Sequence, residues 1–151
     1  MQFGETTERR QSADRLISNM FDERKQLLTL LFQVSKLETN DAGLQGKDFM
    51  EEFCQILVDY IAAGHFELYD RIVAGKERRK VVAELAEKIY PEIEQTTHIA
   101  LEFSEKYNND NKTRDSTHLK NDLSILGEAL TTRIELEDQL ISKITNKSTP
   151  I

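Results

Sequence analysis

The chain has 151 residues, 38% of them hydrophobic and 31% charged, with only six glycines and two prolines. That length supports one compact domain burying roughly 70% of the surface its unfolded form exposes, and the scarcity of turn residues excludes a turn-rich β fold in favour of an all-α one. A net charge of -7 excludes nucleic acid as the main ligand, because phosphate binding needs a clustered positive footprint; a basic partner is the natural one.

The first predicted element runs from about Thr6 to Leu37, where Ala13, Leu16, Ile17, Met20, Leu27, Leu31 and Val34 recur at steps of three and four. That pattern is a long amphipathic helix. TNDAGLQG (39–46) tolerates turn geometry and is expected to be a loop, followed by a second helix from about Lys47 to Val73. The run KERRK (76–80) is a local basic exception, expected to be a solvated helix start. Val81, Val82, Leu85, Ala86 and Ile89 carry the next helical pattern up to Pro91. Proline lacks the amide hydrogen and disfavours helical geometry at the preceding residue, so a break or kink is expected there, with Pro91 opening a further helix to about Tyr107. NNDNKTRDS (108–116) is polar and without period, hence a loop. The last helix is expected from about Ser116 to Ile144, with Leu119, Leu123, Leu126, Leu130, Ile134, Ile141 and Ile144 on one stripe. Long helices without repeats make a single-domain four-helix bundle over 1–151 the economical architecture.

Cys54 is the sole cysteine, which forbids an intrachain disulfide and fits a reducing compartment. The charged start MQFGETTERRQSADR is unlike a signal peptide, and the longest apolar run, LLTLLF, is far short of a membrane span. A soluble cytoplasmic protein is expected.

The stretch FCQILVDYIAAGHFELYDRI (53–72) concentrates the unusual residues. At 100° per residue, Phe53, Ile56, Leu57, Tyr60, Gly64, Leu68 and Ile72 share one side, which is a core stripe. Gly64 on that stripe is expected to let a neighbouring helix come close. The opposite side holds Asp59, Ala62, Ala63, Phe66 and Asp70, small residues and one aromatic between two carboxylates. Such a face suits a basic partner whose side chains fill the space over the alanines while the phenyl ring anchors in a pocket. A wide core that engulfs both sides of a central helix is the other reading of the same periodicity.

Chemistry finds little support in the pattern. His65 and Cys54 are about 16 Å apart along a helix axis at 1.5 Å rise, too far to share a metal. The nearest approach to a bundle metal motif is a single Asp115-x-x-His118, and no Gly-rich phosphate loop or nucleophile elbow occurs. No catalytic residue, metal or cofactor is expected. The rival is HLKND (118–122), which faintly resembles the accepting histidine of histidine-phosphotransfer bundles without their usual spacing or following glycine; His118 or His65 would carry that role.

The central stretch, together with ERKQLL (23–28), KIYPEIE (88–94) and LGEALTTRIELEDQLI (126–141) in that order, resembles the Rsd/AlgQ family of bacterial anti-sigma regulators. The resemblance covers most of the chain. It implies an all-helical bundle that binds region 4 of the housekeeping sigma factor, the basic helix-turn-helix that meets the -35 promoter element and core polymerase, and so sequesters it. The family's partner-binding positions, carried onto this sequence, fall on Asp59, Ala62 and Phe66. Two places depart from the family: Asn19, Met20 and Phe21 stand where Arg-Trp-Leu is usual, and Ile134 stands where an aromatic usually follows Arg133. Another partner of the same fold, a sugar-transport phosphocarrier or an alarmone enzyme, is the alternative the resemblance leaves. Between Asp122 and Asp138 the last helix carries five carboxylates against Arg133 alone. Glu137 and Asp138 are expected to extend the acidic face.

Overall fold

A computed structural model describes residues 2–36, 44–64, 68, 80–108 and 116–145. Among the described residues there are four helices, α1 (Gln2–Ser35), α2 (Leu44–Ala63), α3 (Lys80–Tyr107) and α4 (Ser116–Thr145). The main packing pairs are α3 with α4, α1 with α2, and α2 with α3, whereas α1 and α4 meet much more sparsely. The all-α bundle expected from composition is the observed fold class.

Each helix buries the stripe its sequence marks, with local shifts. On α1, Ile17, Met20, Leu27 and Val34 are buried as expected, joined by Leu30. Its end is closed by a tight turn in which the Lys36 amide donates to the Gln33 carbonyl (3.2 Å) and Ser35 Oγ to the Phe32 carbonyl (2.7 Å), which satisfies carbonyls the helix would leave bare. α2 begins at Leu44, so Leu44, Gln45 and Gly46 are helical where a loop was expected. The remaining described part of α2 buries Phe53, Leu57 and Tyr60. The segment from 69 to 79, with Asp70 and most of the basic run, lies outside the described residues.

α3 corrects the expected proline break. The helix runs unbroken through Pro91, with Ile89 and Ile93 buried on either side of it. Pro91 and Glu87 are both exposed, so the Glu87 carbonyl that loses its amide partner faces water instead of the core. Burial of the flanking isoleucines outweighs the local preference. On α4, Leu126, Leu130, Ile141 and Ile144 are buried as expected; Ile134 is only half-buried, and Leu136 and Leu140 join the core.

The buried side chains form two apolar groups. One contains Leu27, Val34, Phe53, Leu57, Ala100, Phe103, Leu126 and Leu130. Within it the Phe53 and Phe103 rings meet edge to face at 5.8 Å between centroids, an arrangement worth about 0.5–1.5 kcal/mol beyond area burial. The other contains Ile17, Met20, Leu68, Ala86, Ile89, Ile93, Leu140 and Ile144. In sequence, the chain passes from one group to the other through polar or small residues: Arg24 on α1, Gly64 just beyond α2, Thr96 and Thr97 on α3, and Arg133 on α4.

Candidate functional site: an acidic face over a buried polar layer

Asp59 lies exposed on α2 and accepts a hydrogen bond from Gln55 Nε2 (3.1 Å), one helical turn earlier. Ala62 and Ala63 follow it, each half-buried. With Glu51 and Glu52 also exposed, the outer side of α2 is acidic and, beside Asp59, low in relief. Phe66 and Asp70, which complete the expected face, lie outside the described residues, as does His65.

Beneath this face is an arrangement that periodicity did not disclose. Arg133 and Glu137 are both fully buried and pair across one turn of α4, Nε to Oε2 at 3.0 Å. The guanidinium also donates from one terminal nitrogen to Thr96 Oγ1 (3.1 Å) and Thr97 Oγ1 (2.8 Å) on α3, and from the other to the Ile61 carbonyl (3.4 Å) in the last turn of α2. Tyr60, also fully buried, donates its hydroxyl to Glu137 Oε1. Burial pushes the Tyr60 phenol well above its ordinary range, and the Glu137 carboxylate beside it pushes in the same direction, so the hydroxyl keeps its proton.

Arg24 of α1 closes the layer. Its Nε donates to the Tyr60 hydroxyl (3.0 Å), and its terminal nitrogens reach Asp138 Oδ1 (2.8 Å) and Glu137 Oε1 (3.4 Å). Two guanidiniums therefore meet two carboxylates, and all four helices contribute. A buried ion left without partners is strongly unfavourable, whereas here the charges are matched and hydrogen-bonded. The bridge is also where the sparsely packed pair α1 and α4 is held.

Gly64 explains itself at this point. A Cβ placed on it would stand 2.9 Å from Glu137 Oε2 and 3.1 Å from an Arg133 terminal nitrogen. The close approach expected at Gly64 is thus made by the charged side chains of α4.

Glu137 requires a correction. Expected on the surface beside Asp138, it is wholly inside, because the 100° step between adjacent helical positions turns one residue to the core and the next to solvent. Asp138 remains half-exposed, and the contact it makes is to Arg24. The surface extension expected of the pair therefore rests on Asp138. Arg133, counted with the surface charges of the last helix, is likewise interior. The signal was present in the sequence: Arg133 and Glu137 interrupt the apolar stripe of α4 at the helical spacing of a charge pair.

The other chemical candidates are dispersed. Cys54 is buried, and loss of solvent pushes its thiol up to about 11, against the hydrogen bond to Ser104, which lowers it. A thiol so shifted stays protonated and is a poor nucleophile. His98 is exposed on α3, and His118 is exposed near the start of α4. Among the described residues no three His, Cys, Asp or Glu side chains are gathered to hold a metal, and no helix is long and apolar enough to cross a membrane.

Comparison with known proteins finds relatives along most of the chain. The protein named regulator of sigma D from Yersinia enterocolitica is 36% identical over 141 residues, covering 89% of this chain and 83% of its own. Its namesake from Yersinia pestis is 37% identical over 142 residues, with 89% and 82% covered. That from Shigella dysenteriae is 31% identical over 143 residues, with 93% and 90% covered. No solved structure matches the chain. The family described as regulator of RNA polymerase sigma(70) subunit, Rsd/AlgQ, matches residues 1–145, and the chain belongs to it.

Proposed function

We propose that this chain is a stoichiometric anti-sigma regulator, without catalysis or cofactor, acting in the cytoplasm as a single sigma-binding domain. It binds region 4 of the housekeeping sigma factor and withholds it from core polymerase and from -35 promoter DNA. The observation that carries this reading is the family match along residues 1–145, to which the acidic outer side of α2 adds a physical rationale. A basic helix-turn-helix meets complementary charge at Asp59, with Asp70 and Asp138 as further carboxylates of the proposed surface. Ala62 and Ala63 leave room for its side chains, and Phe66 supplies the apolar anchor.

Titration with isolated sigma region 4 tests the assignment. Asp59→Lys is expected to weaken binding at least tenfold, about 1.4 kcal/mol, and Phe66→Ala to cost about 2 kcal/mol or more, the scale of an interface hot spot. Both variants should melt close to the parent. Unchanged affinity in both would remove this face from the function. A Phe66→Ala protein that loses about 3–5 kcal/mol of stability but binds normally when folded would make the ring a core residue instead.

A further inference from the structure

A second surface on α1 has the opposite character to the α2 face. Phe21, Leu28 and Phe32 are spaced by seven and four residues, which sets them on one stripe of the helix, and they are 45%, 42% and 59% exposed. The row extends about 16 Å along the axis at 1.5 Å rise. Lys25 and Lys36 are exposed on the same side, and along the stripe from Phe21 to Lys36 there is no carboxylate. Lys36 Nζ lies 4.3 Å from the centre of the Phe32 ring; the Arg24 guanidinium, 5.1 Å from that of Phe21, is already paired with Asp138 and Glu137. Large apolar side chains left in water in a row, with positive charge beside them, are the pattern of a helix-in-groove or helix-on-helix contact.

We propose that this stripe docks an acidic amphipathic helix from a partner protein. Its apolar residues would cover Phe21, Leu28 and Phe32, and its carboxylates would pair with Lys25 and Lys36. The stripe adjoins the α2 face, since Lys25 and Glu52 line one groove, so its preference for carboxylates rests most on Lys36 beside Phe32. An anionic bilayer fits less well, because a membrane-lying helix needs a broad apolar face and several cations, and the whole chain carries -7.

The test uses the full chain and two designed 20-residue helical peptides with the same leucine spacing, one with glutamate and one with lysine at its polar positions. Fluorescence anisotropy should show the acidic peptide binding at least tenfold tighter than the basic one. Phe32→Ser, or Lys25→Glu with Lys36→Glu, should weaken it tenfold or more, whereas Asp59→Lys should leave it unchanged. All these positions are exposed, and a melt of each variant checks that it is folded. Equal binding of the two peptides, or indifference to both α1 variants, overturns the proposal. So does a concentration-dependent dimer abolished by Phe32→Ser, which would assign the stripe to a second copy, or Phe32-dependent binding to phosphatidylglycerol vesicles, which would assign it to a bilayer.

Discussion

Gly64 shows how much one hydrogen in place of a methyl group decides. Alanine is the better helix former by about 1 kcal/mol, so a surface Gly→Ala change would stabilise. At this position the new carbon would press on Glu137 Oε2 and the Arg133 guanidinium, neither of which can move without loosening the other's hydrogen bonds. Gly64→Ala is therefore expected to destabilise by about 1–3 kcal/mol, the cost of overpacking, in a urea melt. Glu137→Ala should be worse, about 3–5 kcal/mol, because Arg133 is left as a buried charge without its carboxylate. Replacing Arg133 and Glu137 together by leucines should recover most of that loss, since the charge that lacks a partner goes with them. A double variant no more stable than Glu137→Ala would show that the polar layer contributes through something other than matched charge.

At the scale of the helices, periodicity was a good guide where residues sort by polarity and a poor one where they do not. The apolar stripes of α1, α2 and α4 were legible because Leu, Ile, Met and Phe recur every three or four residues. The expected break at Pro91 is absent because propensity is local, whereas the helix is held by Ile89 and Ile93 on the far side of the proline. If the exposed proline only removes a hydrogen bond, Pro91→Ala should stabilise by about 1–3 kcal/mol, read in the same melts. The buried Arg133 and Glu137 were misassigned for the converse reason: charge predicts solvent, and only the facing Tyr60, Arg24 and threonines make an interior position tolerable. The α3–α4 corner adds a pH-dependent contact. Burial alone would raise the Asp122 carboxyl, but hydrogen bonds from Lys106 (2.8 Å) and Tyr107 hold it below its ordinary value. A carboxyl lowered in the folded state contributes stability that is present above the unfolded-state value, about 3.9, and is lost as pH falls through the folded-state value. Asp122→Asn should therefore lower stability at neutral pH and flatten its fall in acid; an unchanged acid limb would assign that fall to other carboxylates.

Taken whole, the molecule is acidic outside and charge-matched inside, and the two facts have different consequences. The interior layer draws on all four helices and fixes how they meet, but its charges are neutralised within a few ångströms and project little field. The surface excess is different. With -7 overall and Asp59, Glu51 and Glu52 exposed on α2, the field outside that face is negative. For a basic ligand such as sigma region 4, this field should accelerate encounter before any contact forms. Screening shortens its reach from about 30 Å at 0.01 M salt to about 8 Å at 0.15 M. The association rate with isolated region 4, followed by stopped flow, is expected to fall several-fold or more across that range, while the dissociation rate, governed by close contacts such as that proposed for Phe66, changes far less. Asp59→Lys should lower the rate at low salt and make its salt dependence shallower. A rate constant that is flat in salt for the parent protein would leave the acidic surface without a part in sigma capture, and the recognition would then have to rest on the apolar contacts alone.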